Sequence, residues 1–421
     1  MHLTLFAIGS RGDVQPVLAL GKGLQAAGYE VTLATHGIFE AFVTQHGLSF
    51  FPVEGNPLEL LSQESSQEWI ETGRNPMAML VKMRELGTPM FQRLTNDYLE
   101  AVRHTDAIIT SGIALYASLS VIEKTGLPAM GAYVQPLHPT RYIANAMSTP
   151  PPDWLPFKGL YNRLSHDILL EMNWRIFKGP VNEIRRTLLD LPPMTESFRR
   201  SIRQPVPCIY GFSPHVIPQP PDWDDHLTVT GYWFLDEPDW TPPDDLRAFL
   251  EAGEPPVYIG FGSMASRRAE ETTHIALEAL KQSGQRGLLA SGWGGITQRD
   301  LPDEVFLIDA APHSWLFPRM AAVVHHGGAG TTGAGLRAGV PSILVPHFGD
   351  QNFWGATVSN LEVGTEPIPR KRLTAGKLGA AIRRAVTDVG MRQRAAILGE
   401  RIRQEDGVAA AARAVERVFG R

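Results

Sequence analysis

Along this chain short apolar runs, each opened or closed by Gly, Pro or Ser, recur at near-regular spacing, and that punctuation admits little besides a parallel α/β fold. Residues 2–8 read as a buried strand and 9–13 as a tight loop. Residues 14–27 read as a helix with apolar positions at Val14, Val17, Leu18, Leu20 and Leu24 and Gly28 as its stop. Strand, loop and helix open a βαβ unit. Further strands are predicted at 31–34, 49–53, 107–110, 128–133 and 206–211. The pattern then restarts, with a strand at 257–261, a loop at 262–266, a helix at 269–282 and strands near 287–290, 305–308, 321–324 and 342–345. Between the two series the sequence turns rich in Pro and Asp (IPQPPDWDDH, DEPDWTPPDD), the composition of an exposed connector. We therefore divide the chain into a first domain over 1–217, a linker over 218–245, a second domain over 246–400 and a C-terminal helix over 401–421 that returns toward the first domain. Ligands of doubly wound sheets bind outside the carboxyl ends of the strands, so two such domains facing each other would leave a ligand cleft between them.

Composition removes several function classes. A formal net charge of −5, without a long block of either sign, lacks the basic footprint of a nucleic-acid binder. The first apolar run, Leu3 to Ile8, is too short for a secretory core and is followed at once by Arg11 and Asp13, and the longest uncharged stretches fall short of a membrane span. A cytoplasmic protein without a transmembrane segment is expected, and its oligomeric state is not legible. One cysteine, Cys208, excludes an internal disulfide or a multi-cysteine zinc site and is expected to be a buried thiol.

The most informative segment runs from Ala321 to Ala356: AAVVHHGGAGTTGAGLRAGVPSILVPHFGDQNFWGA. A β-branched strand enters a Gly-rich turn, and a helix is predicted from near Gly328 to about Ala338. Small residues at a helix start let backbone N–H groups approach an anion, and the helix dipole adds about half a positive charge, which suits a diphosphate. Thr331 and Thr332 can add hydroxyl donors and His326 a ring N–H. The bland reading is that the glycines serve helix–sheet packing and the paired histidines belong to the core. A second rival is an NAD-dependent oxidoreductase, because Gly328, Gly330 and Gly333 match G-x-G-x-x-G and Asp350 follows about 20 residues on. That fingerprint normally opens its domain, whereas here about three strands precede it.

The segment HHGGAGTTGAGLRAGVPSILVPHFGDQNFW, preceded by APHSWLFPRMAAVV, resembles the donor-binding signature of nucleotide-sugar glycosyltransferases of the GT-B fold, glycosyltransferase family 1. Within them, GSRGDVQP (Gly9 to Pro16) with ALGKGL resembles the branch of sterol 3-β-glucosyltransferases and antibiotic glycosyltransferases. The resemblance implies an α/β chain of two facing Rossmann-like, doubly wound parallel-sheet domains with a cleft between them, the acceptor held by the first domain and the sugar donor by the second. It implies that His326, Gly328, Gly330 and Thr331 surround the diphosphate, with Ser263 on its other side. His313, with Ala311 and Pro312, would hold the nucleobase, and Asp350 and Gln351 the sugar hydroxyls. Two departures matter: plant relatives carry a ribose-binding Glu where this chain has Ala334 and Gly335, and a base-stacking Trp where it has Ala310, which leaves uridine against thymidine open.

Asp13 stands where the plant enzymes place a His, and a carboxylate there can take the acceptor hydroxyl proton during inverting transfer. Capping of the following helix explains an Asp equally well, and the two roles are compatible. The region of Thr110, Ser111 and Gly112 offers no second carboxylate, which leaves Ser10 or Arg11 as support. The Met- and aromatic-rich stretches 56–98 and 135–174 would form an apolar acceptor wall from Trp69, Met77, Met79, Phe91, Met147, Trp154 and Trp174, for a hydrophobic acceptor such as a sterol, flavonoid or polyketide. The expected function is transfer of a hexose, glucose first, from a UDP-sugar, with a TDP-sugar as the alternative and a non-catalytic sugar-nucleotide sensor as a further rival. The sugar nucleotide is then a co-substrate, and no cofactor or metal is expected. The Asp222-Trp223-Asp224 triplet could hold a divalent ion, but it lies among Pro218, Pro220 and Pro221, away from the Gly-rich loop.

Overall fold

A computed structural model describes residues 1–55, 89, 91–112, 115–152, 154–194, 206–261, 269–290 and 301–420. Contacts divide them into two compact units: the first holds the described chain up to Leu235 together with the segment from Asp406 onward, and the second holds Asp236–Glu405.

The first unit carries strands β1 (His2–Phe6), β2 (Glu30–His36), β3 (Ser49–Val53), β4 (Ala107–Thr110), β5 (Ala129–Tyr133), β6 (Cys208–Tyr210) and β7 (Leu227–Val229). Its labelled helices are α1 (Arg11–Ala26), α2 (Glu40–Thr44), α3 (Leu115–Thr125) and α4 (Lys158–Thr187). The strands form one parallel sheet in the order β3-β2-β1-β4-β5-β6-β7. Chain order reverses at β1 and β4, the switch point at which such sheets open a crevice. Leu3, Leu5 and Phe6 of β1 are fully buried, as expected of a strand with helices on both faces. Helix α1 buries Val14, Val17, Leu18, Gly21 and Leu24, a stripe at helical spacing.

The second unit carries helix α5 (Asp244–Glu251), β8 (Val257–Gly260), α6 (Ala269–Ser283), β9 (Gly287–Ala290), β10 (Val305–Ile308), α7 (His313–Leu316), β11 (Ala322–His325), α8 (Ala329–Ala338), β12 (Ser342–Leu344), α9 (Gln351–Asn360), α10 (Ala375–Thr387) and α11 (Val389–Arg403). Its parallel sheet runs β10-β9-β8-β11-β12, with the switch point between β8 and β11. Alternate residues of these strands enter two separate cores. Val257, Ile259, Leu289 and Val324 meet Ala276, Leu280, Leu378 and Ile382 on one face, while Tyr258, Leu288 and Val323 meet Leu316, Phe317 and Met320 on the other. Each fully buried aliphatic side chain contributes about 1.5–3 kcal/mol.

Helix α12 (Gly407–Phe419) belongs to the first unit, where it packs on α1. Its approach is close: a Cβ on Gly23 would stand 2.1 Å from Val408 Cγ1, and one on Gly407 would stand 2.4 Å from the Tyr232 carbonyl.

Two expectations are corrected. The segment 218–245 is no bare exposed connector: it contains β7, Trp223 stacks on Tyr210 with ring centroids 4.7 Å apart, and buried Trp233 donates through Nε1 to Thr230 Oγ1 at 2.9 Å. Helix α1 begins at Arg11 with Ser10 as its N-cap, so Asp13 lies in its first turn and not ahead of it.

Candidate functional site

In the first unit the chain leaves β1 and turns at Gly9, whose φ of +134° is open to glycine and strained for other residues. Asp13 then reaches back: its Oδ2 accepts the Ser10 backbone N–H at 2.8 Å and the Ser10 hydroxyl at 2.9 Å. Ser10 is thus the residue that supports the Asp13 carboxylate. Arg11 turns elsewhere, donating from Nε to Gln15 Oε1 at 3.1 Å, with its guanidinium carbon 4.6 Å from the Phe42 ring centroid. Asp13 keeps solvent access at its surface, while desolvation by the surrounding protein raises its pKa and the two Ser10 bonds pull it back down. At the end of the neighbouring strand β4, Ser111 spends its N–H and its hydroxyl on the Phe6 carbonyl, at 3.1 and 3.0 Å. No carboxylate stands at that position to form a dyad with Asp13.

His36, at the end of β2, is a member of this loop's surroundings that sequence reasoning missed. Its Nε2 accepts the Gly9 N–H at 3.3 Å, which assigns the ring proton to Nδ1, and burial lowers its pKa. It enters from a separate strand, and a lone His at a strand end carries no local signal.

In the second unit β11 delivers the chain to His325, His326 and Gly327, the last at φ +96°. Gly328 is the extended N-cap of α8, and space beside Gly330 is open. That start is a set of backbone N–H groups without intrahelical partners, with the positive end of the helix dipole behind them. Thr331 is half-buried in the first turn. Thr332 is not a donor to an outside group, because its buried hydroxyl donates to the Gly328 carbonyl at 2.9 Å.

The His326 ring lies against Gly328: a Cβ there would stand 2.6 Å from Nε2. Burial, with smaller repulsion from His347 and His313, takes His326 down to about 3, so the ring is neutral at pH 7. Among the described residues its Nδ1 meets no hydrogen-bond partner, and neither does the fully buried Nε2 of His325. His325 Nδ1 instead accepts the Gly327 N–H at 3.1 Å, so the two adjacent histidines differ in use.

Around this helix start, His313 stacks on Phe317 with centroids 4.2 Å apart. Asp350 precedes α9 and accepts from Trp354 Nε1 at 3.0 Å. Gln351 is buried, and its Oε1 accepts the N–H groups of His347 at 2.7 Å and Phe348 at 3.3 Å. The carbonyl end of that amide is therefore engaged with the protein.

Among the acceptor-wall candidates, Phe91 and Trp174 are core residues: both are buried, and Phe91 meets Phe177 edge-on at 5.5 Å. Met147 and Trp154 are exposed. Trp69, Met77, Met79 and Ser263 lie outside the described residues. The Asp222 carboxylate clamps a neighbouring loop, accepting Thr140 Oγ1 at 2.5 Å and the Arg141 N–H at 2.8 Å, and Asp224 accepts the His226 N–H at 3.0 Å.

The comparisons with known proteins agree with this architecture. Residues 3–118 match the glycosyltransferase family 28 N-terminal domain, and residues 295–412 match the erythromycin biosynthesis protein CIII-like C-terminal domain. The glycosyltransferase of kitacinnamycin superposes with a TM-score of 0.72 at 18% identity, covering 99% of this chain and 98% of that one. Two parallel-sheet units of this kind, with these family matches, make the chain a GT-B-fold member of the glycosyltransferases. Within that class it is homologous to the sterol 3-beta-glucosyltransferases. It is 38% identical to one from Cryptococcus neoformans over 444 residues, covering all of this chain and 27% of the relative, and 37% identical to one from Arabidopsis thaliana, covering 98% of this chain and 65% of the relative. The chain thus spans about a quarter of the fungal relative and just under two thirds of the plant one. Family membership displaces the oxidoreductase reading, and topology explains why: the Gly-rich loop follows β11, the fourth strand of its unit, where a dinucleotide fingerprint follows the first.

Proposed function

We propose that this chain is an inverting, metal-independent glucosyltransferase that moves glucose from UDP-glucose to the hydroxyl of a sterol-type acceptor, with Asp13 as general base. The observation that carries the reading is 37–38% identity to sterol 3-beta-glucosyltransferases along essentially the whole chain. It favours a sterol over flavonoid or polyketide acceptors.

In this reading the ionised Asp13 carboxylate takes the acceptor proton as the hydroxyl oxygen attacks the anomeric carbon. The carbon–oxygen bond to UDP breaks, and the diphosphate leaves with the electron pair. One displacement inverts the anomeric centre. Ser10 holds the carboxylate in place through its two hydrogen bonds. The start of α8 receives the diphosphate through backbone N–H groups near Gly328 and Gly330, the Thr331 hydroxyl and the neutral His326 ring, so developing charge is met by protein donors. Asp350 and the Gln351 NH₂ bind sugar hydroxyls, and His313 lies beside the base. Asp222 and Asp224 have no part in this, since each carboxylate serves a protein N–H or O–H.

The test is to incubate the chain with UDP-glucose or TDP-glucose and detergent-dispersed cholesterol in excess EDTA. Mass spectrometry detects the product, and the proton coupling at the anomeric carbon gives its configuration. A β-glucoside from UDP-glucose is expected. Retention of configuration would remove the single-displacement mechanism, preference for TDP-glucose would reassign the donor, and the lack of any sterol glucoside would remove the acceptor assignment.

A further inference from the structure

Two consecutive backbone N–H groups at the turn after β1 are both spent on side chains. The Ser10 N–H goes to the Asp13 carboxylate at 2.8 Å, and the Gly9 N–H before it goes to Nε2 of His36 at 3.3 Å. The second bond replaces a rung of the sheet. In a parallel ladder N–H groups two residues apart donate to the same neighbouring strand. The Ala7 N–H still donates to the Ala34 carbonyl at 3.1 Å, so the next rung would join the Gly9 N–H to residue 36. Strand β2 ends there, the chain bends into a 3₁₀ turn over Gly37–Phe39, and the His36 ring makes the bond.

The ring is suited to that task. It can accept an N–H only while neutral, because a protonated imidazole is a donor at both nitrogens, and burial lowers the His36 pKa. Its other edge faces the chain beyond β3: a Cβ on Gly55 would stand 3.4 Å from Cε1 and 3.6 Å from Nδ1. The His36 ring thus lies between the loops that leave β1 and β3, and it restrains Gly9, the residue of its loop with the widest conformational freedom. The same geometry argues against His36 as the base itself, since Nε2 is occupied by the Gly9 N–H and Nδ1 carries the ring proton.

We propose that His36 is a positioning residue for transfer: by holding the Gly9 N–H it fixes the turn that aims the Ser10 N–H and hydroxyl at Asp13, and so sets the place of the base. The inference deepens the functional reading above and rests on it, because it takes Asp13 as the group that removes the acceptor proton. A catalytic group misplaced by about 1 Å can lose on the order of 10²-fold in rate, so a bond two residues away from the carboxylate has room to matter.

Two variants separate this role from packing. His36→Leu fills the space and removes the acceptor, whereas His36→Gln carries Oε1 close to the place of Nε2 and keeps it. Thermal melts confirm that each is folded. His36→Leu is expected to lower kcat by about tenfold or more, with KM for sterol and for UDP-glucose within about twofold, and His36→Gln to recover most of that loss. Placed on Asp13→Asn, His36→Leu should change the residual rate by less than about twofold, because no carboxylate remains to be positioned. Carboxyl ¹³C NMR of the aspartate-labelled chain, with the Asp13 signal identified by its loss in Asp13→Asn, gives a readout without turnover. The Asp13 pKa should rise in His36→Leu, as the Ser10 bonds that hold it down weaken, and return in His36→Gln. A folded His36→Leu with kcat within about threefold of wild type overturns the proposal. So does an equal rate loss on the Asp13→Asn background, which would make the role structural, and so does an Asp13 titration that His36→Leu leaves unmoved. Should wild type form no sterol glucoside, the functional reading falls alone: the Asp13 titration still upholds the positioning if it moves and overturns it if it does not.

Discussion

A Cβ placed on Gly9 would stand 2.4 Å from Oδ2 of Asp13, so the carboxylate occupies the space that the missing side chain leaves. The glycine and the acid form one device: the backbone turns at a φ that favours glycine, and the acid folds back over that turn onto Ser10. Gly9→Ala should therefore displace the carboxylate and cost about 1–3 kcal/mol in backbone strain. The expected result is a fall in kcat of tenfold or more with UDP affinity unchanged, read by kinetics and calorimetry. Asp13→Asn should lose about 10²- to 10⁴-fold in rate while still binding UDP. In wild type the rate should fall as pH drops through the raised Asp13 pKa, because the base acts only when ionised. An Asn variant with more than a third of the wild-type rate would remove the base assignment.

His326 is held at about 3 and His347 at about 4 by burial, so both rings are neutral through the physiological range. A neutral donor contributes about 0.5–1.5 kcal/mol, so His326→Ala should weaken UDP binding by roughly two- to tenfold. The affinity for UDP-glucose should be flat from pH 8 to pH 6, whereas a charged imidazole would lose anion affinity as pH rose through its ordinary value. Stability follows the opposite slope. The unfolded chain binds protons that the folded histidines refuse, so this stability is present above about 6.5 and is lost as pH falls toward 4 and then 3. Thermal melts at pH 7 and pH 5 check the direction, and His326→Gln should flatten it.

Thr331 and Thr332 are adjacent yet differ in what their hydroxyls do. Thr332→Val deletes the bond to the Gly328 carbonyl in a buried setting and should cost about 1 kcal/mol of stability. Thr331→Val should leave the melting temperature in place and lower UDP affinity. Calorimetric titration beside a thermal melt separates the two, and the reverse pattern would exchange their roles.

Asp222 looks like half of a metal motif in sequence and acts as a clamp in the fold. Asp222→Ala should lower the melting temperature, losing about 1 kcal/mol or more as Thr140 and Arg141 lose their acceptor. Wild-type transfer should persist in excess EDTA. Activity that vanished in EDTA and returned with Mg²⁺ or Mn²⁺ would end the metal-independent reading.

Much of the architecture was legible because Gly and Pro mark strand ends. The strands read at 49–53 and 107–110 coincide with β3 and β4 to the residue, and those read near 287–290 and 305–308 are β9 and β10. Strand β7 escaped because it is three residues long inside a Pro- and Asp-rich stretch whose composition suggested an open linker. Helix α4 escaped for a different reason: polar residues face inward over its first half and apolar ones over its second, so no single periodic stripe runs along it. The loops after β1 and β11 stood out by residue type and spacing. What each side chain spends its hydrogen bonds on did not, because Ser10 against Arg11, Thr331 against Thr332 and the two ends of the Gln351 amide differ only in three-dimensional direction.

Helix α12 completes the first unit from the far end of the sequence, after the whole of Asp236–Glu405 has intervened. During synthesis the second unit therefore emerges complete while the first still lacks the helix that packs on α1. The unit begun earliest is finished last, and until then the surface around Gly23 and Gly231 stays bare. A chain shortened before Asp406 would retain every residue assigned above to donor or acceptor chemistry and still leave that first unit unfinished.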